Sequence, residues 1–354
     1  MPEAVLDPSQ KPMLAKLVRE LPAGQFLYEP KWDGFRCLAF RDGADVDLRS
    51  RHGRPLGRYF PELVEALGAT APQRWALDGE VLVLAGGRFD FAALMARLHP
   101  AASRARELAA RTPAIYVAFD ALGAEADDLR PRPFGERRER LERLLGGVRP
   151  PLFVTPATAD RALAARWLEE FRGGGLDGVV AKPLGGRYEG GVRSMLKVKH
   201  ERTADCVVAG VRAGGEPFGV QSLMLGLYDG DGRLEHIGVV TGLARRERER
   251  LAAELAPLVV GIEGHPWEHG FLLGGGPMGR LKGAAGRWAP GMTMDWVPLA
   301  PTRVAEVRYT QLDGHRLRHP AKLARWRPDR DPRSCRLEQL DEPLAAPAEV
   351  LGGT

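Results

Sequence analysis

The chain has 354 residues, 44% of them hydrophobic and 27% charged, with a net charge of +5. That is enough chain for two cores and ordinary for a globular protein, and the charge favours an anionic partner without choosing among DNA, RNA and acidic surfaces. Cys37, Cys206 and Cys335 are far apart with no C-x-x-C pair, which excludes a disulfide framework and gives a zinc site no support. No apolar run follows a basic head at the N-terminus, and no stretch is long enough to span a bilayer, so a cytosolic protein is expected.

In chain order, the first two hundred residues alternate strands and helices. Short strands are predicted at Phe26 to Leu27 and Phe35 to Phe40, then longer ones at Trp75 to Leu84 and Ile115 to Asp120. Phe134, Leu141, Leu144 and Leu145 recur at helical spacing, with Arg and Glu expected on the wet face. Ala159 to Phe171 reads as a second amphipathic helix, stopped by Gly173-Gly174-Gly175. After Lys199 the texture changes. Five short β-runs are predicted: Cys206 to Val211, Ser222 to Tyr228, Leu234 to Thr241, Met294 to Val297 and Val304 to Tyr309. A charged helix, Ala244 to Ala256, interrupts them. Five strands with an inserted helix suggest a small barrel of the oligonucleotide-binding (OB) type. The expected fold class is therefore α+β, with a first domain over 1–202, an OB barrel with a basic arm over 203–331, and a loosely held polar tail over 332–354.

Only eight of the 51 basic residues are lysine. In a chain this biased, lysine is kept mainly where arginine cannot substitute, because an amine can lose its proton and attack phosphorus while a guanidinium stays charged. Four of the eight, Lys31, Lys182, Lys197 and Lys199, lie in short motifs that read as one phosphate-handling site. Lys31 belongs to Glu29-Pro30-Lys31-Trp32-Asp33-Gly34-Phe35-Arg36. Leu77-Asp78-Gly79-Glu80 and Val117-Ala118-Phe119-Asp120 each end a strand in an acid. Asp177-Gly178-Val179-Val180-Ala181-Lys182 carries an acid and a lysine at opposite ends of one strand. Lys197-Val198-Lys199 projects two ammonium groups to one face. Converging like charges lower the proton affinity of a neighbouring amine and help make it nucleophilic. Each motif alone is accounted for by an Asp-Gly turn at a strand end; their joint occurrence in this order is not.

In that order the chain resembles the covalent nucleotidyltransferases: ATP-dependent DNA ligases, RNA ligases and mRNA capping enzymes. Glu29 to Cys37 and Leu176 to Lys182 look most like small bacterial C-type ATP-dependent DNA ligases and the ligase domain of ligase D. The resemblance runs from about Lys11 to Asp331. It implies that Lys31 takes AMP on its amine, that Glu29 recognises the adenine amino group, and that Phe119 stacks on the base. Glu80 would hold the ribose, with Arg36 and Arg51 near sugar and phosphate, and Lys197 and Lys199 would grip the α-phosphate. Asp177, with Glu80, stands where the family binds metal, although the family's usual residue at 177 is glutamate. Arg327-Pro328-Asp329-Arg330 replaces the usual R-x-D-K, and Arg327 and Arg330 would meet the departing pyrophosphate. The implied cofactors are ATP and Mg²⁺, with Mn²⁺ as a substitute.

From Arg316 to Arg330 six basic residues face one acid, Asp329. With Arg280 and Lys282, the residues Arg316 and Arg318 are expected to hold a DNA backbone. His52, His236 and His265 lack metal spacing and are expected to be surface or satisfied core residues. Lys31 comes so early that no separate DNA-binding domain is expected before the catalytic core. The reading is a monomeric enzyme sealing nicked duplex DNA in repair or end joining, associated with the nucleoid and with Ku as a conceivable recruiter. Its rivals are an RNA ligase or capping guanylyltransferase, and a non-catalytic DNA-binding scaffold that has kept the fold.

Overall fold

The computed structural model describes residues 7–85, 88–99, 101–170, 176–200, 202–213, 219–268, 296–341 and 351. The chain divides into two compact units, one running to His200 and including Leu351, the other running from residue 201 to Asp341. Strand pairing starts at Arg202, opposite Tyr309, which is why the division falls slightly before the expected 202/203 boundary.

Two sheets build the first unit. One has the strand order Ala15–Leu17, Met195–Lys199, Leu176–Pro183, Phe26–Trp32, antiparallel except for its first pair. The other places Asp45–Ser50, Phe35–Asp42, Arg74–Ala85 and Ala114–Ala124 side by side, with Leu152–Val154 parallel to the last. The strand Phe26–Trp32 belongs to one sheet and Phe35–Asp42 to the other. Only Asp33 and Gly34 separate them. A Cβ on Gly34 would lie 2.2 Å from the Val81 carbonyl oxygen, so no other residue fits that crossover without moving backbone. Lys31 is thus within its strand, which runs well past the expected Phe26 to Leu27.

The helix Phe134–Leu144 departs from expectation on one point. Its buried stripe is Phe134, Arg137, Arg138, Leu141 and Leu144, so two arginines occupy core-facing positions instead of the wet side. They are affordable there because both are paired. Arg137 makes a two-pronged contact with Asp120 at 2.8 and 3.0 Å, and Arg138 donates to the Thr155 carbonyl at 2.7 Å.

The second unit is a five-stranded antiparallel sheet in the order Leu234–Val240, Val220–Tyr228, Arg202–Ala213, Trp296–Tyr309, Lys322–Trp326. Its two margins meet where Ala321 donates to the Val239 carbonyl at 2.9 Å and Thr241 donates to Ala321 at 3.2 Å, closing a small barrel. Five strands were expected, but not these five. The predicted runs around Val297 and Val304 are one strand, Trp296–Tyr309, whose prolines at 298 and 301 interrupt the ladder donors and make the sequence read as two. The fifth strand, Lys322–Trp326, comes from what read as the basic arm. Residues 332–341 are not a loose tail up to Asp341. Cys335 and Leu340 are buried in the barrel core, Tyr228 donates to the Cys335 carbonyl at 2.8 Å, and the Gln339 amide binds Asp205 backbone at 3.1 and 3.2 Å.

Among the described residues no helix is long and apolar enough to cross a membrane.

Candidate active site

Alternation along the first sheet gathers one face of it into a floor. Glu29 and Lys31, Val180 and Lys182, and Met195 and Lys197 all line one cavity of about 240 Å³. The second sheet adds Arg36, Glu80 and Phe119, while Arg51 and Arg193 stand at the rim. A wider cleft of about 630 Å³ shares Pro12, Leu14 and Arg51 with this cavity and brings in Lys11, Arg49 and His52.

At one end, Lys31 Nζ and Lys199 Nζ each lie 2.7 Å from Oδ2 of Asp177, whose side chain is 1% exposed. Burial alone would raise the Asp177 carboxyl, but the two ammonium groups outweigh it and hold the acid below its ordinary value. Lys197 feels the reverse. Burial, then Lys31 and Lys199, push its amine down from the usual lysine value. Gly178, held at φ +132°, makes this approach of strands possible, since a Cβ there would meet the Val198 carbonyl at 1.9 Å.

Glu80 lies opposite Arg36 across the second sheet and accepts from the Gly34 amide at 3.1 Å. Burial drives its carboxyl up to about 7 against the pull of Lys31 and Arg36. Arg36 does not keep its fork free for a sugar or phosphate. Its Nε and Nη2 grip Asp78 at 2.7 and 2.6 Å, and Tyr188 donates to the same acid at 2.6 Å. The Arg36 guanidinium also lies 4.7 Å from the Phe119 ring centroid. Phe119 lines the cavity with two cations already over its ring, because Lys182 Nζ is 4.7 Å from the same centroid.

The other end of the cavity holds Glu29. It is 2% exposed and carries Lys182 at 2.8 Å on Oε2 and Arg138 at 3.5 Å on Oε1. Burial raises its carboxyl, with Lys182 and Arg138 opposing. Lys182 is therefore set apart from Lys31, Lys197 and Lys199, with which the sequence had grouped it. Arg138 and Arg193 were missed altogether. For Arg138 the signal was there, since 134, 137, 138, 141 and 144 form one helical stripe with two arginines inside it.

Among the described residues no group of three or more His, Cys, Asp and Glu side chains assembles, so there is no all-protein metal cage. One or two carboxylates beside a cavity lined by several cations fit a Mg²⁺ ion that keeps its waters and leans on substrate phosphates.

The remaining expected residues lie in the second unit. Arg327 is held by Asp205 at 2.8 Å and Asp329 at 2.8 Å, and Arg330 lies 3.7 Å from Asp205. Arg316 and Arg318 are half-buried beside the barrel. Arg280 and Lys282 lie outside the described residues. His265 is a core residue with its Nε2 3.1 Å from the Ala209 and Leu299 carbonyls.

Residues 9–199 match the family model of the ATP dependent DNA ligase domain, and residues 218–330 match that of the ATP dependent DNA ligase C terminal region. The chain is 50% identical over 340 residues to DNA ligase C2 of Mycolicibacterium smegmatis, covering 95% of each. It is 33% identical to the multifunctional non-homologous end joining DNA repair protein LigD of Mycobacterium tuberculosis, over 91% of this chain and 39% of that one. A solved Lig E DNA ligase, 18% identical, has the same fold with a TM-score of 0.54 over 90% of this chain and 99% of that one.

Proposed function

We propose, since this chain belongs to the ATP-dependent DNA ligase family, that Lys31 carries the adenylate between ATP and DNA. The chain is an enzyme that uses ATP to form phosphodiester bonds in DNA. What supports the assignment to Lys31 is its place in the cavity: a primary amine on the floor, with Lys197 and Arg51 near it and a buried carboxylate and an aromatic ring further along. Cations suit a triphosphate, and an aromatic ring with a hydrogen-bond acceptor suits a base.

In this reading Lys31 Nζ attacks the α-phosphorus. A P–N bond forms, the bond to the β-phosphate oxygen breaks, and pyrophosphate leaves. The amine sheds its proton to water or to the departing pyrophosphate, while Asp177 Oδ2, 2.7 Å away and held ionised, orients the nitrogen. The AMP then passes to a DNA 5′-phosphate, and a 3′-hydroxyl displaces it to join the strand. Such transfers need alignment and charge neutralisation more than elaborate covalent chemistry. Lys197 and Lys199 supply charge at the α-phosphate, Glu80 a ribose contact, and Arg327 and Arg330 a counter-charge for pyrophosphate. Asp177 and Glu80 are the carboxylates that would hold Mg²⁺, through water where the lysines occupy Asp177. The ion would supply further neutralisation of the phosphates.

The substrate is read as nicked duplex DNA, held in part by Arg316 and Arg318. The likeness to LigD supports a place in repair or end joining. Ku as recruiter, action as a monomer and association with the nucleoid go with that reading.

The test is intact-protein mass spectrometry after exposure to ATP, followed by nicked duplex. Wild type should gain one adenylate and seal the nick, and Lys31→Ala should do neither. Adduct formation by the variant would remove Lys31 from the chemistry. Labelling by GTP in preference to ATP, or sealing of RNA alone, would favour the rival enzymes.

A further inference from the structure

Lys182 is the one lysine of the cavity floor that no phosphate can explain. It lies five residues beyond Asp177 on the same strand, roughly 16 Å along the sheet at about 3.3 Å per residue. The amine proposed as nucleophile is at the Asp177 end. Lys182 Nζ is spoken for locally, donating to Glu29 Oε2 at 2.8 Å and to the Phe119 carbonyl at 2.7 Å. Its remaining surface meets the rings of Phe119 and Phe134, at 4.7 and 4.6 Å from their centroids. A side chain 3% exposed, with two hydrogen bonds and two aromatic faces, is not waiting for an anion.

We propose that Lys182 is the positioning residue for nucleobase choice: clamped between Glu29 and the Phe119 carbonyl, its ammonium holds Glu29 as an ionised acceptor for a purine 6-amino group, so that the cavity takes ATP and rejects GTP. This deepens the adenylation reading above and rests on it.

The chemistry follows from which groups can donate. An ionised carboxylate only accepts. Adenine offers it an amino donor; guanine offers a carbonyl oxygen, acceptor against acceptor, at an acid only 2% exposed. Buried polar groups left unmatched in this way are what give enzymes large discrimination. A neutral carboxyl would donate to the guanine oxygen instead, and the preference would fade. Glu29 leans that way already, because burial favours its protonated form, with Lys182 the foremost of the groups resisting this and Arg138 the next. Arg138 is also committed to Glu142 at 2.7 Å and to the Thr155 carbonyl, so it cannot simply take over. By the same contacts Lys182 ties the acceptor to the ring of the base platform, which fixes the two recognition groups relative to each other.

The experiment is covalent labelling of the full chain by α-labelled ATP or GTP, with half-saturating concentrations and maximal labelling compared for wild type, Lys182→Gln and Lys182→Arg. Glutamine keeps a donor and removes the charge; arginine keeps the charge. Lys182→Gln should lower the ATP-to-GTP preference at least tenfold, and Lys182→Arg should stay within about threefold of wild type. An unchanged preference, or equal losses with both nucleotides, overturns the proposal, because a merely structural lysine would produce one or the other. If Lys182→Gln does not fold, Glu29→Gln serves. Its amide both donates and accepts, so the preference must again collapse, and a preserved one overturns the proposal. Wild type that labels with neither nucleotide would refute the adenylation reading itself and this inference with it. Labelling with an unmoved preference would refute this inference alone.

Discussion

Lys31 and Lys199 place their ammonium nitrogens on the same atom, Oδ2 of Asp177, each at 2.7 Å. One carboxylate thereby restrains two cations that would otherwise repel each other, with Lys197 close enough to feel both. Asp177→Asn removes the charge and keeps the shape. Covalent labelling by ATP should slow at least a hundredfold, about 2.7 kcal/mol on the barrier. The rate of AMP incorporation in single-turnover assays measures it, and a rate near wild type would strip Asp177 of its role.

Glu80 gives a pH signature to the nucleotide-free protein. Its folded-state value, about 7, lies above the ordinary 4.5, so the folded form keeps a proton that the unfolded chain has released between those limits. The stability this contributes is complete below 4.5 and lost as pH rises through 7. Glu80→Gln cannot ionise, so its stability relative to wild type should improve by on the order of 2 kcal/mol between pH 5 and pH 8. Urea titrations at the two pH values test this, and a gap that does not move with pH refutes it.

Gly34→Ala should be among the most damaging small substitutions in the first unit. The added methyl meets the Val81 carbonyl at 2.2 Å and Leu82 at 2.6 Å, and backbone cannot step aside as a side-chain tip can. A loss of on the order of 3 kcal/mol is expected, read as a drop in Tm. Wild-type stability would mean the crossover is looser than it looks.

Arg137 and Asp120 are 0% and 1% exposed and bind through two contacts. Arg137→Met alone strands a buried carboxylate and should cost about 3–5 kcal/mol. Adding Asp120→Leu should recover part of that loss. A double variant worse than the single one would show that the pair does more than neutralise itself.

In the barrel, Leu340→Ala should destabilise the second unit by about 2–4 kcal/mol, because the side chain is 2% exposed within its core. Chemical denaturation followed by tryptophan fluorescence would report it. No change would return residues 332–341 to the status of a tail.

Much of the site is legible because it is written as Asp-Gly turns and alternating strand positions, and those rules act locally. Lys31, Glu80 and Lys197 were gathered by alternation and motif order, and Glu29 by the resemblance to the nucleotidyltransferases. Lys182 was legible as a member of the set but not as to its end, since its partners Glu29 and Phe119 are 153 and 63 residues away in sequence. Arg36 was assigned to the substrate because nothing local reveals Asp78 beneath it. Arg137 and Arg138 were put in water on residue type, against the helical period that contradicted it. The barrel's last strand was hidden by its charge. Lys322 and Arg325 alternate with Leu323 and Trp326 only loosely, and an edge strand needs just one dry side.

The crossover at Asp33 and Gly34 has a mechanical corollary. Two side chains carried by different sheets usually owe their separation to the packing of distant segments, which a core mutation can shift. Here a two-residue tether joins the ladders that bear them, and the tether's own amide is bonded to Glu80. Errors elsewhere in the protein can lower its melting point while leaving the spacing between Lys31 and Glu80 nearly untouched, so destabilised variants should lose lifetime before they lose turnover.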